Sequence, residues 1–86
     1  MDVAERFAAN LAELRKAAGL SQEELAFRAG IHRTQVSFIE SGKRSPRLDT
    51  LVKLAGALEV PVAELLDGLH WEPTITRGGG FKVDPK

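Results

Sequence analysis

Cysteine is absent from the 86 residues, so neither a disulfide framework nor a cysteine-based zinc site can hold the chain together. An apolar core must suffice. At 43% apolar and 28% charged, with only 8 glycines and 4 prolines, the composition is globular rather than disordered or collagen-like. The length allows one small domain and excludes a two-domain enzyme. No apolar run can span a bilayer, the longest lying near Leu54 to Leu58. Asp2 and Glu5 stand where a secretory signal would be basic, so a cytoplasmic, membrane-free protein is expected. Enzyme signatures are also missing. His32, His70, Ser37 and several carboxylates occur, but none forms a nucleophile elbow, a two-histidine metal spacing or a paired-carboxylate cleft. The triplet Gly78 to Gly80 precedes Phe81-Lys82, not the Lys-Ser/Thr of a phosphate loop. No catalytic residue, metal or cofactor is expected, and no internal repeat is present.

Net charge is zero, but the distribution is uneven. Residues 1 to 27 carry −2 and residues 48 to 86 carry −2, while residues 28 to 47 carry +4, from Arg28, Arg33, Lys43, Arg44 and Arg47 against Glu40. Charge alone leaves two readings open, an anionic partner at one face or a solvated surface with its charges unevenly spread.

Hydrophobic spacing predicts five helices. Val3, Phe7, Leu11, Leu14 and Ala18 form one stripe of period 3.6, closed by Gly19 as a left-handed cap. Ser21 and Glu24 have capping-box spacing at the start of a short second helix that buries Leu25, Ala26 and Ala29 before Gly30. A third helix, His32 to Glu40, buries Val36 and Ile39 and turns Arg33, Thr34, Ser37 and Phe38 outward. The basic turn Lys43-Arg44-Ser45-Pro46-Arg47 follows. Leu51, Leu54, Ala55 and Leu58 mark a fourth helix, with Asp49 near its positive end. Pro61 opens a fifth, in which Leu65 and Leu66 complete the apolar set.

Beyond Gly68 the character changes. Residues 69 to 86 hold Trp71, Pro73, the glycine triplet and two β-prone pieces, Thr74-Ile75-Thr76 and Phe81-Lys82-Val83. A hairpin turning at Gly78 to Gly80, a single strand added to a partner, and disorder all fit. Trp71, Ile75, Phe81 and Val83 are surplus apolar groups, since the helical pattern closes by Leu66, and they suit a dimer or partner contact. The chain is thus divided into a helical domain, 1–68, and a tail, 69–86.

Two short helices joined by a glycine-containing turn, the second acid-poor and followed by a basic loop, form the pattern of a DNA-reading helix-turn-helix. The run Leu20-Ser21-Gln22-Glu23-Glu24-Leu25-Ala26, then Ala29-Gly30-Ile31, Val36-Ser37, Ile39-Glu40-Ser41-Gly42-Lys43-Arg44 and Pro46 resembles the Cro/C1-type (XRE-type) helix-turn-helix family. Leu48-Asp49-Thr50-Leu51-Val52-Lys53-Leu54-Ala55 continues the likeness, which covers residues 5 to 67 and omits the tail. His32-Arg33-Thr34-Gln35-Val36-Ser37 further resembles the branch of small restriction-modification controller proteins.

The resemblance implies an all-α, five-helix, lambda-repressor-like domain that binds double-stranded DNA as a homodimer. It places Arg33, Thr34, Ser37 and Phe38 in the major groove, where an arginine fork matches the two acceptors of guanine. Phe38 departs from the polar residue usual there and either meets thymine methyls or covers the loop before helix 4. Phosphate contacts fall to Gln22 at a helix start and to Lys43, Arg44 and Arg47. His32 replaces the usual Ser or Thr cap, which puts its capping in question and makes it a further phosphate contact. Arg15 and Glu40 match a family pair that braces the recognition helix, the alternative being a free surface arginine. The resulting expectation is a transcriptional regulator at the nucleoid, binding a pseudo-palindromic operator. Two alternatives are an antitoxin whose tail folds on a toxin, and a protein-interaction module that touches no DNA.

Overall fold

The computed structural model describes residues 1–85; Lys86, the end of the tail segment, lies outside the described residues. Five helices are followed by a hairpin: α1 Val3–Ala17, α2 Gln22–Ala29, α3 Arg33–Glu40, α4 Leu48–Leu58, α5 Val62–Leu65, β1 Leu69–Pro73 and β2 Gly79–Val83. The fold is therefore mostly helical with a two-stranded antiparallel sheet, not all-α. Among the described residues no helix is long and apolar enough to cross a membrane.

Local chemistry sets the helix limits. Asp2 and Glu5 form a capping box at α1, and Ser21 and Glu24 form the expected one at α2. Bonding to Ser21 holds the Glu24 carboxyl below its ordinary pKa. Gly19 and Gly30 adopt φ of 73° and 68° where α1 and α2 stop. Each predicted stripe then meets the others in one core, where Leu11, Leu25, Val36, Leu54 and Leu65 are fully buried. Two positions differ from the expected pattern. Ala18 lies beyond α1 and is exposed, and Leu66 faces outward because α5 ends after one turn, at Leu65.

The tail is neither disordered nor a single strand. Leu69 pairs with Val83, Trp71 with Phe81 and Pro73 with Gly79. This register corrects the expected turn: Thr74-Ile75-Thr76 is not a strand but part of the bend, and Gly79 and Gly80 belong to β2. The radius of gyration, 13.5 Å, exceeds the roughly 12 Å of a compact chain of this length, and the molecule extends 45 Å by 22 Å by 22 Å.

One buried arginine anchors the hairpin. Arg6, 4% exposed, donates from Nε to Asn10 Oδ1 at 3.1 Å and from Nη1 to the carbonyl of Asp84. Its Nη2 lies 3.6 Å from the Asp67 carboxylate. Asn10 in turn donates to the carbonyls of Leu65 and Asp67, at 3.0 and 2.8 Å, satisfying groups that the end of α5 leaves unpaired. At the foot of the hairpin the Asp84 N–H donates to the Gly68 carbonyl, and His70 Nε2 meets Asp84 Oδ2 at 3.0 Å. That contact holds the Asp84 carboxyl below its ordinary pKa.

Gly68 has φ 81°, and a Cβ there would fall inside the Arg6 guanidinium. Gly68→Ala should therefore destabilise the protein by about 2 kcal/mol or more, combining left-handed strain with a displaced buried charge. Urea unfolding measures this, and a wild-type midpoint would show that the anchor is dispensable.

Candidate nucleic-acid interface

The eight residues of α3 are too few for a helix stable in isolation, so caps and packing must hold it. His32 does cap α3: its Nδ1 accepts the Thr34 N–H at 3.1 Å, and its own N–H donates to Gln35 Oε1 at 3.1 Å. With Nδ1 accepting, a neutral ring carries its proton on Nε2, leaving that donor for a ligand. Gln35 was missed as a contributor. Its spacing from His32 repeats that of Glu24 from Ser21, a signal obscured because histidine is an unusual cap. Thr34 Oγ1 lies 2.8 Å from His32 Nδ1.

Val36 and Ile39 face the core, whereas Arg33, Thr34, Ser37 and Phe38 are exposed on the opposite side of α3. Arg33 Nη1 is 4.0 Å from Glu23 Oε2, with both side chains largely in water, where such a contact is weak. Ser41 ends the helix, and the turn at Gly42, φ 76°, packs against Glu5 of α1. Lys43, Arg44 and Arg47 follow, all exposed.

Phe38 joins the helix to this turn. The Arg44 guanidinium carbon sits 5.2 Å from the centroid of the Phe38 ring, a cation–π geometry. Gln35, Phe38, Arg44 and Arg47 line one open cleft of about 150 Å³ with Ser45 and Pro46. Of the two readings of Phe38, the loop contact is the one present in the free chain. Arg47 Nε lies 3.7 Å from Asp49 Oδ1, with both side chains exposed.

The other end of α3 is fastened by charge. Arg15 donates from Nε to Glu40 Oε2 at 2.8 Å and from Nη2 to Glu40 Oε1 at 3.0 Å, a bidentate pair. Its Nη1 donates to the Leu20 carbonyl at 2.9 Å. The side chains are 12% and 7% exposed, so Arg15 is no free surface charge. Hydrogen bonding to Glu40 raises the Arg15 pKa, and burial offsets part of that rise. Gln22 Nε2 donates to Glu40 Oε1 at 3.1 Å, so the side chain expected at a phosphate is tied to the end of α3. Glu40 is thereby matched within the fold and subtracts little from the field of Arg28, Arg33, Lys43, Arg44 and Arg47.

The foot of the hairpin meets the basic turn, where Leu69 lines a cleft with Ser45 and Pro46. Trp71 and Phe81 are 54% and 68% exposed and meet edge to face at 5.1 Å. Val83 is half-buried and Ile75 lies fully exposed in the bend. Phe27 on α2, 88% exposed, was not singled out by the sequence pattern. Among the described residues no three His, Cys, Asp or Glu side chains converge as a metal site.

A helix-turn-helix family profile matches residues 11–65. The chain is 39% identical over 77 residues, 90% of its length and 100% of the relative's, to an uncharacterized HTH-type transcriptional regulator, y4dJ, of Sinorhizobium fredii. It is 42% identical over 66 residues to the control protein C.SmaI of Serratia marcescens, covering 77% of this chain and 79% of that one. Among solved structures, the restriction-modification controller protein C.AhdI from Aeromonas hydrophila superposes with a TM-score of 0.70 and 45% identity, over 72% of this chain and 94% of that chain.

Arg15→Ala strands a buried carboxylate on α3. The expected loss is about 3 to 5 kcal/mol of stability, against about 0 to 1 for an exposed pair. Denaturant unfolding distinguishes these values, and a loss below the smaller bound would contradict the bracing role.

Proposed function

This chain belongs to the Cro/C1-type (XRE-type) helix-turn-helix family of DNA-binding transcriptional regulators, and we propose that it binds a pseudo-palindromic operator as a homodimer. In this reading α3 of each subunit enters one of two successive major grooves, whose centres lie about 34 Å apart. The observation that carries it is the exposed row Arg33, Thr34, Ser37 and Phe38 running directly into the basic turn through the Phe38–Arg44 contact. Arg33 reads guanine, while Thr34 and Ser37 reach neighbouring base edges or phosphates. Phe38 offers an apolar edge to thymine methyls. Lys43, Arg44 and Arg47 neutralise phosphates, joined by His32 Nε2 and by the helix start at Gln22.

The helical part, residues 1–68, is the reading domain, and the tail 69–86 supplies the contact with the second subunit through Trp71, Ile75, Phe81 and Val83. A cytoplasmic site of action at the nucleoid fits this role. The family is one of DNA-binding regulators rather than of enzymes.

Arg33→Ala is expected to cost about 1 to 3 kcal/mol at the selected site and to relax preference at one base pair per half-site. Equal weakening on cognate and scrambled duplexes would refute the base-reading role. By contrast, Ala at Lys43, Arg44 or Arg47 should weaken binding to every sequence and flatten the log–log salt slope by about 0.9 per lost phosphate contact. An unchanged slope in all three variants would remove the turn from the interface.

A further inference from the structure

The hairpin is amphipathic by register. Leu69, Trp71, Pro73, Phe81 and Val83 share one face, and His70, Glu72 and Lys82 share the other, because directly paired residues project to the same side. An isolated two-stranded ribbon is marginal in water, and Trp71 and Phe81 remain largely uncovered.

The two edges of this ribbon are unequal. The bonds from Asp84 N to Gly68 O and from Thr74 N to Gly78 O fix the parity of the ladder: even-numbered residues bond inward and odd-numbered ones present N–H and C=O to the outside. On the β1 edge Pro73 has no N–H, and the Leu69 N–H already donates to the Leu66 carbonyl, leaving Trp71 as the donor. Proline on an edge is a common block to strand addition. The β2 edge has no such block. It presents the N–H and C=O groups of Gly79, Phe81 and Val83.

We propose that β2 pairs antiparallel with β2 of a second copy, about a two-fold axis at Phe81, to form a four-stranded sheet across the homodimer. The proposal rests on the homodimer reading above and specifies its contact. Under this operator Phe81 exchanges two N–H···O bonds with its twin, and Gly79 meets Val83 of the other copy. The aromatic groups then form one row, Trp71, Phe81, and their two equivalents. The polar face is complementary as well. Lys82 falls opposite the other copy's Gly80, whose missing side chain leaves open space, and beyond that glycine stands Glu72. A lysine of one copy thus reaches across a glycine toward a glutamate of the other, twice by symmetry. The edge is short, so a weak dimer that tightens on a two-fold DNA site is the expected behaviour.

Gly80→Lys separates this contact from hairpin stability. Within one copy the new lysine faces Glu72, a favourable pair, whereas across the proposed axis it stands directly against Lys82. Sedimentation equilibrium of the full chain should show the dimer Kd raised about tenfold, with circular dichroism unchanged. Glu72→Lys and Lys82→Glu should each weaken the dimer several-fold, and the double exchange should restore it to within about twofold of wild type. An unchanged Kd in Gly80→Lys, a double exchange no better than the singles, or a wild-type chain that stays monomeric at high concentration would overturn the proposal. Binding to a duplex carrying one half-site reports reading by α3 independently. Its loss in the wild type would refute DNA reading while leaving the sedimentation result to judge the sheet.

Discussion

A carboxylate withheld from water fixes where α3 ends. Glu40 takes two bonds from Arg15 on α1 and a third from Gln22 at the start of α2, so three helices meet at one side chain. A buried pair of this kind contributes little net stability, because desolvation opposes its Coulombic gain. What it supplies is direction. Fixing Glu40 fixes the residue after which the chain must turn, and the turn carries the cations nearest α3. Phe38 and Arg44 then couple helix and turn from the outer side, so the exposed row on α3 and the basic loop form one surface.

The first helix performs the same service at its other end. Arg6 and Asn10 gather carbonyls from the end of α5 and from the hairpin, much as Arg15 gathers α2 and α3. Together the two arginines position the end of α3 and the foot of the hairpin. This gives α1 a mechanical role that its apolar stripe alone does not express, and it makes the tail an anchored element rather than a loose appendage.

The helices were legible because their burial is periodic and local: Leu11, Leu25, Val36, Leu54 and Leu65 are fully buried where spacing of period 3.6 places them. The Ser21 and Glu24 box was legible for the same reason, since both partners lie within one turn. Arg6 was not, because its bond to Asp84 spans 78 positions and no local pattern distinguishes it from a surface arginine. His32 was doubtful as a cap because an imidazole rarely serves as one. In the tail, alternation about Ile75 suggested a strand, but register is decided by cross-strand partners, and Trp71 facing Phe81 shifts the pairing to Leu69–Pro73. The exposed residues of α3, Arg33, Thr34, Ser37 and Phe38, were nameable because a helix with one buried face exposes the other. The tie between Gln22 and Glu40 required coordinates.

The proposed homodimer sets two copies of α3 on one two-fold site. Selection of bound duplexes from a random library by the full chain, at near-physiological salt, tests it most directly. Enrichment of an inverted repeat with half-site centres about 10 to 10.5 base pairs apart, or a multiple of that spacing, is expected. Recovery of duplexes with no shared sequence, or of a single asymmetric site, would contradict it.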